Sequence, residues 1–195
     1  MRNQLALLAL LATVSGAATA GVSVGVTTNA DKATLATGDL MGTGTATTLG
    51  SNGYNMGYGV VLGYHTNLSP KVVAGVDLAY QSSIGDLGST TTVGVGTSTG
   101  KIEDHKSLSV KLGYALQPST VVYGRLGKGN ADFKYSMTSG AKTNVNYDTT
   151  TAGFGVEHEF MKNVSVSGEY RNIYGTIYGN EVSSSGVEMG LKYRF

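Results

Sequence analysis

The residues of this chain that could do chemistry are mainly carboxylates and cations at alternate positions. They share those positions with glycine and serine, while the positions between them are largely apolar. Charges withdrawn from water must be paired to be tolerated, so acids and bases on one face predict a neutral network of ion pairs. Ten residues make up this predicted charge network, five acids and five bases: Asp77, Lys111, Arg125, Glu157, Glu159, Glu169, Arg171, Glu188, Lys192 and Arg194.

Such a network could serve as a polar core or as a gated path for ions. The polar core is favoured, because an interior that is just wide enough for paired side chains leaves no open pore. We expect three of the cations to pair with four of the acids, namely Arg125, Arg171 and Lys111 with Asp77, Glu157, Glu169 and Glu188.

A second set of reactive residues is His105 and Ser107, with Glu103 just before them. Acyl hydrolysis uses a serine, a histidine and an acid of this kind. However, His105 and Ser107 share the alternation of Ser109 and Lys111, so they are predicted to lie on the polar face, away from any acyl chain. The chain is therefore predicted not to be an enzyme.

Metal and cofactor sites lack support in the sequence. His65 lies at a turn and His158 next to one, and we expect both at an interface rather than on a metal ion. Repeats such as Gly94-Val95-Gly96 lack the strand-to-helix context of a nucleotide loop. We predict no cofactor and no metal.

The elements that must position these residues are strands with a period of two. The clearest is Val187–Phe195, in which apolar residues alternate with charged residues or glycine. Such alternation gives one apolar and one polar face. An exposed alternating edge strand invites aggregation, whereas a closed barrel in lipid has no edge. The pattern therefore predicts a membrane barrel.

Eight period-two segments recur along the chain, and the connections between them alternate between long and short. The predicted strands are 21-29, 53-66, 71-84, 105-116, 120-131, 149-161, 164-176 and 184-195. Long connections are 30-52, 85-104, 132-148 and 177-183, and short ones follow Asn67, Gln117 and Met161. An up-and-down barrel has long external loops and short periplasmic turns. The predicted fold is an all-β, eight-stranded antiparallel up-and-down transmembrane β-barrel, whose interior is just wide enough for side chains.

Sorting the strands by parity gives an outward set that is apolar, with aromatic residues towards the strand ends, as membrane interfaces favour. One strand breaks the pattern, because Phe133 and Tyr135 have the opposite parity to Val122 and Leu126. Either a glycine-rich bulge at 127-130 or an early exit from the membrane would explain this.

The N-terminus predicts export. A short basic region at Arg2, an apolar run and the Ala18-Thr19-Ala20 site are typical of a cleaved signal peptide, so we expect a signal at 1-20 and a barrel domain at 21-195. Without Arg2 the basic and acidic residues are equal in number, which gives no support to nucleic-acid binding. Cysteine is absent, so disulfides do not contribute.

Two segments resemble a known family. Residues 155–171 look like the penultimate hairpin, and Val187–Phe195 looks like the closing strand, of the eight-stranded outer-membrane barrels of Gram-negative bacteria, which include OmpA-type, opacity-type and Ail-like proteins. The resemblance implies that Leu191, Tyr193 and Phe195 form the assembly signal that the barrel-insertion machinery reads. It also implies membrane lipids and lipopolysaccharide as surroundings. The His105 set resembles the catalytic residues of a lipid A deacylase of this architecture only in its residue types.

Members of that family act as adhesins, host-factor binders or envelope-stabilising proteins through their loops. The resemblance therefore implies a structural or surface-interaction role in the outer membrane, with host or matrix components as partners of the four extracellular loops. Loops 30-52 and 85-104 are the candidate binding elements, although a solvated surface without a ligand is an equal alternative. They lack the basic cluster of a polyanion binder. A narrow ion channel and a lipid-modifying enzyme remain the less favoured functions.

Overall fold

The computed structural model describes residues 21–37, 47–51, 53–82, 85–92, 96–137, 142–177 and 179–195. These residues form ten strands: β1 (Gly21–Thr37), β2 (Thr47–Gly50), β3 (Asn55–Asn67), β4 (Val72–Ser82), β5 (Gly85–Thr92), β6 (Gly96–Gln117), β7 (Thr120–Met137), β8 (Lys142–Met161), β9 (Val164–Ile177) and β10 (Asn180–Arg194). None of the described residues forms a helix long and apolar enough to cross a membrane.

Antiparallel pairing closes the sheet into a barrel. Each long strand pairs with its neighbours in the order β3, β4, β6, β7, β8, β9, β10, and β1 pairs with both β10 and β3. At the seam Val24 lies opposite Tyr193 on one side and Leu62 on the other. The predicted eight-stranded transmembrane barrel is confirmed, because all eight predicted strands lie in this ring.

The two short strands extend the ring rather than add to it. β2 pairs with β1 beyond the point where β3 stops, and β5 pairs with β6 beyond the point where β4 stops. β2 therefore takes the place of β3 beside β1, and β5 takes the place of β4 beside β6. We call the end of the barrel with these extensions the loop end. The opposite end, which has the three short connections, is the turn end.

The predicted long connections were too long. Residues 30–37 belong to β1, residues 85–92 and 96–104 belong to β5 and β6, and most of 132–148 belongs to β7 and β8. The sequence prediction stopped each strand where outward apolar residues stopped. The backbone ladder continues past that point because hydrogen bonding between strands does not depend on the polarity of the outer face.

The outer surface carries a band of exposed apolar side chains in the turn-end half. It includes Val24, Leu62, Val110, Leu126 and Leu191, all of which are at least 45% exposed. Such exposure would be costly in water and is expected against lipid. The predicted outward face of each strand is the face that the structure turns outward.

At the loop end the polarity of the wall is inverted. Buried apolar side chains fill the interior there: Ala33, Leu35, Leu87, Ile102, Ala131, Phe133, Tyr147, Ile173, Ile177 and Val182. We call this group the apolar cap. Outward positions of the same strands carry exposed polar residues such as Lys134 and Asn146. A polar outer surface around an apolar interior is the arrangement of a protein in water. This part of the wall therefore lies outside the hydrocarbon layer of the membrane.

This inversion explains the irregular strand. β7 pairs with β8 from Thr120 to Ser136 without any shift in register, which rules out a glycine-rich bulge at 127-130, the first of the two explanations. Phe133 points inward on the same parity as Arg125, which leaves the early exit from the membrane as the explanation. The register shift lies instead in β6 between Glu103 and Lys106, where Asp104 adopts a positive φ of 50°.

Candidate functional site

Below the apolar cap, two arginines form the central layer of a buried charge network. Arg171 donates to Asp31 (Nη2 to Oδ2, 2.7 Å) and to Glu188 (Nη1 to Oε2, 2.6 Å). Arg125 donates to Glu169 (Nε to Oε1, 2.6 Å) and to the other oxygen of Glu188 (Nη2 to Oε1, 3.2 Å). Glu188 therefore joins both arginines, and the layer crosses the lumen from Asp31 on β1 to Arg125 on β7, the opposite strand of the ring.

Two lysines form a second layer nearer the turn end. Lys111 lies 3.1 Å from Asp77, and Lys192 lies 3.1 Å from Glu157. The Lys111 ammonium also lies 4.2 Å from the centroid of the Tyr123 ring, a cation–π contact. Side chains of Lys111, Asp77 and Lys192 are at most 6% exposed, so these charges are withdrawn from water and depend on one another.

The remaining two predicted members lie at the rim. Arg194 and Glu159 have side chains 40% and 37% exposed, and 3.7 Å separates the closest atoms of the pair. They do not belong to the buried layers, because both strands end at this height. Burial of a strand-end position cannot be deduced from parity alone, since parity gives the direction of a side chain and not its depth.

The sequence prediction missed three members of the buried network. Asp31 was assigned to a loop, although it is fully buried on β1 and bonded to Arg171. Gln81 accepts a hydrogen bond from Arg171 (Nη1 to Oε1, 2.6 Å) and donates one to Glu188. His65 was expected at an interface, but it is buried and its Nε2 lies 3.4 Å from Asp77. The available signal was parity, which places all three inward.

His65 brings together a serine, a histidine and an aspartate. Its Nδ1 lies 3.5 Å from the Ser23 hydroxyl, and its Nε2 faces Asp77. The ring lies over Gly75, where an added Cβ would collide with it. Ser23 is 3% exposed, so a substrate carbonyl could not approach its hydroxyl. The geometry supports a polar packing role and not nucleophilic attack.

The residues that suggested hydrolysis are separated by the wall. His105 lies inside, where its Nε2 is 3.0 Å from the Thr149 hydroxyl. Glu103 lies on the outer surface, where it pairs with Lys134 and with Lys101 at 2.9 Å. The hydrogen bond from Lys134 lowers the pKa of Glu103, and the same pair raises the pKa of Lys134. No hydrolytic set is assembled around His105 within the described residues.

The described residues give little support for a ligand-binding cavity or a metal site. A cavity of about 220 Å³ opens at the turn end, lined by His65, Lys111, Glu157 and Arg194 among others. Its charges of both signs are already paired with one another. No group of three or more acids and histidines that could hold a metal occurs among the described residues. His158 lies on the outer surface, where its Nδ1 is 2.9 Å from the Thr120 hydroxyl.

Comparison with known proteins identifies the family. The family profile of the outer membrane protein beta-barrel domain matches residues 5–195, which is nearly the whole chain. The chain belongs to this family. It is thus an integral β-barrel protein of the outer membrane. No curated protein sequence matches the chain.

Solved structures share the fold. Neisserial surface protein A is 14% identical, with 89% of this chain and 97% of that chain covered and a TM-score of 0.56. The attachment invasion locus protein Ail of Yersinia pestis is 15% identical, with 89% of this chain and 97% of that chain covered and a TM-score of 0.52. A second Ail structure, at 14% identity and a TM-score of 0.52, contains the heparin analogue sucrose octasulfate. At these identities the likeness concerns the fold.

Proposed function

We propose that this protein is a non-enzymatic surface-interaction protein, adhesin-like or host-factor-binding, whose partners contact the loop end outside the cell. The observation that carries the proposal is the apolar cap. It fills the wall beyond the hydrocarbon, with Leu35, Ile102 and Phe133 at most 4% exposed. A filled extension gives a partner a preformed surface on the wall above the membrane, and a preformed surface reduces the entropy cost of binding.

The filled lumen argues against the channel alternative. An ion crossing the barrel would have to break the Arg171 and Arg125 pairs and then pass the apolar cap. Dehydration against an apolar constriction is itself a barrier to ions. A structural role in the envelope fits the same geometry, and it becomes the preferred function if no partner binds.

The charge of the loop-end wall indicates the chemistry of a partner. Exposed or half-exposed charges on its described outer face are of both signs: Lys32, Lys101, Lys106, Lys128 and Lys134 with Asp86, Glu103, Asp104, Asp132, Asp148 and Glu181. Ail has been crystallised with a heparin analogue. For this chain the mixed charge favours a protein or a neutral glycan over a polyanion, because Lys101 and Lys134 are already paired.

Export and assembly complete the proposal. A signal peptide at 1-20 would be removed to leave a barrel domain at 21-195. Leu191, Tyr193 and Phe195 would then form the assembly signal, and their exposed side chains support this, with the Tyr193 and Phe195 rings 5.0 Å apart. Membrane lipids and lipopolysaccharide would surround the apolar band.

A capture experiment on whole cells tests the proposal. Cells that display the protein are incubated with a panel of extracellular-matrix and complement components, with heparin included as a polyanion. Bound components are then compared with those on cells that lack the protein. An exchange of the whole predicted loop 30-52 is unsuitable, since it would remove Asp31 and Leu35 from the interior. Replacing 38–46 and 89–99 by glycine-serine segments of equal length keeps both.

We expect the parent to capture at least one component and the exchanged variant to lose it while remaining folded. The matched control is an exchange of the short connection at Lys162–Asn163, at the turn end, which should retain capture. If no component binds to the parent, the surface-interaction role is wrong and the structural role replaces it.

A further inference from the structure

Two lysines lie on the outer wall at the margin of the apolar band that is nearer the loop end. On β6, Lys106 is the next outward residue beyond Leu108, and on β7, Lys128 is the next beyond Leu126. Both lysines are exposed. They therefore lie at the level where the hydrocarbon layer ends and the lipid headgroups begin.

The opposite side of the barrel is uncharged at the same step along its strands. Asn172 follows Tyr170 on β9, and Ser185 follows Val187 on β10. β6 and β7 are neighbours in the wall, so both lysines lie on one side of the barrel. The two lysines are thus a local pair.

The pairing of β6 with β7 brings the two lysines to one cleft. Lys106 lies opposite Asn130, and Lys128 lies opposite Leu108. The lysines are therefore diagonal neighbours, and the Cα atoms of such neighbours are about 7–8 Å apart in an antiparallel pair. A cleft of about 630 Å³ lies beside them, and its lining includes Leu78, Lys106, Leu108, Lys128, Asn130 and Asp148.

Neither lysine of the pair is neutralised by an acid. Lys101 and Lys134, which lie nearer the loop end on the same two strands, both pair with Glu103. Across the described part of the chain, Lys106 and Lys128 take part in no such ion pair. Their charge is therefore available to an anion from outside the protein.

The polar groups around the pair leave both ammonium groups open to such an anion. The Tyr80 hydroxyl donates to Asp104 Oδ1 at 2.6 Å, which holds that carboxylate against β4. Lys128 Nζ donates to the hydroxyl of Thr150 at 2.8 Å, a neutral acceptor. Asp148 is the acid in the lining of the cleft, where it stands against two cations.

The lining indicates the chemistry of a ligand. Leu78 and Leu108 continue the apolar band into the cleft, and the two lysines close it on the side of the loop end. Lysine binds phosphate groups as a point charge, and basic pockets beside membrane spans bind anionic lipid headgroups. An acyl chain alone would leave the ammonium groups without an acceptor, and a small anion alone would leave the leucines uncovered. A lipid with a phosphate headgroup satisfies both parts.

We propose that the cleft at Lys106 and Lys128 is a binding site for one phosphate-bearing lipid of the outer leaflet. The phosphate lies between the two ammonium groups, and an acyl chain lies along Leu78 and Leu108. This inference goes beyond the proposed surface-interaction role and does not depend on it, because the lipid enters the cleft from the membrane.

Native mass spectrometry of the protein released from nonionic detergent micelles tests the inference. The probes are dioleoyl phosphatidic acid, dioleoylglycerol as the matched lipid without a phosphate, and inorganic phosphate alone. We expect the parent to retain one molecule of phosphatidic acid at a concentration at which neither dioleoylglycerol nor inorganic phosphate is retained.

Substitutions locate the site on the wall. Lys106→Gln and Lys128→Gln should each weaken the binding of phosphatidic acid about tenfold, since each removes a charged donor to the phosphate. Lys134→Gln is the matched control, because it removes the same charge from β7 at a lysine that is paired with Glu103. It should leave the affinity unchanged. Asp148→Asn removes the acid of the cleft and should tighten binding.

Three results would overturn the inference, provided that gel mobility before and after heating shows each variant to be folded. Equal retention of phosphatidic acid and dioleoylglycerol would mean that the phosphate is not recognised. Equal retention of phosphatidic acid and inorganic phosphate would mean that the site does not select a lipid. A loss for Lys134→Gln as large as that for Lys128→Gln would mean that the overall charge of the wall, and not this cleft, attracts the lipid.

Discussion

Asp31 and Arg171 lie 140 residues apart in the chain and form a two-point ion pair inside the barrel. Arg171 Nη2 and Nε lie 2.7 and 3.4 Å from the two oxygens of the Asp31 carboxylate. Both side chains are at most 2% exposed. The pair joins β1 to β9, which are separated in the wall by β10. It lies directly beneath the apolar cap, where the membrane part of the barrel meets its extension.

Removing one member of this pair should destabilise the barrel strongly. Arg171→Ala would leave the carboxylates of Asp31 and Glu188 without that partner in the lumen, and breaking a buried pair in this way costs about 3–5 kcal/mol. Urea-dependent unfolding in lipid vesicles, followed by gel mobility, measures the change. Arg194→Ala at the exposed rim should cost less than about 1 kcal/mol. Equal losses for the two variants would show that Arg171 is not buried among charges.

The apolar cap should be separable from the membrane part of the barrel. Phe133→Ala removes a ring that is 4% exposed, and truncation of a buried phenylalanine costs about 3–5 kcal/mol. We expect the loop end to open locally, so that added protease cleaves there faster while the turn-end half stays protected. The control is Lys134→Ala, which truncates the outward-pointing side chain next to Phe133 in the sequence. Unchanged cleavage of Phe133→Ala would mean that the cap does not hold the extension together.

The position of the hydrocarbon can be tested with a charge on the outer wall. Val110→Arg puts a cation in the apolar band between Leu126 and Val76, and a charge near the bilayer midplane costs about 2–4 kcal/mol. Asn144→Arg places the same side chain on the loop-end wall and should cost little. Unfolding measurements in vesicles compare the two. A similar tolerance at both positions would contradict the assignment of the band.

The lumen should not conduct ions. Planar bilayers containing the purified protein should show no current steps, because the charge network and the apolar cap both fill the interior. The Glu188→Gln variant addresses the alternative, since Glu188 joins Arg125 and Arg171. Steps in the parent that change in this variant would establish the narrow channel instead.

A hydrolytic role can be tested directly. Phospholipid and lipid A turnover in detergent micelles should be at background in the parent and unchanged by His105→Ala, because His105 is 2% exposed inside the barrel. Ser23→Ala serves as a second variant, as the Ser23 hydroxyl lies 3.5 Å from His65 Nδ1. Turnover above background that either substitution removes would make the protein an enzyme.

Alternation predicted much of the fold because membrane strands face two different solvents. Val24, Leu112 and Leu191 could be assigned outward and Lys111, Arg125 and Arg171 inward from parity alone. Which charges pair with each other could be predicted only in part from the sequence. Arg171 was expected to bond acids in the membrane part, yet one of its partners is Asp31, which sits where the outward apolar residues of β1 have already stopped.

What the sequence determined by itself was the strand period, the face of each side chain and the need to pair charges. These depend on local alternation and on the cost of placing a charge in lipid. The tertiary structure decided which acid meets which base and where the apolar cap begins. These depend on stagger and depth, because residues such as Asp31 and Arg171 come to the same height only when the barrel closes.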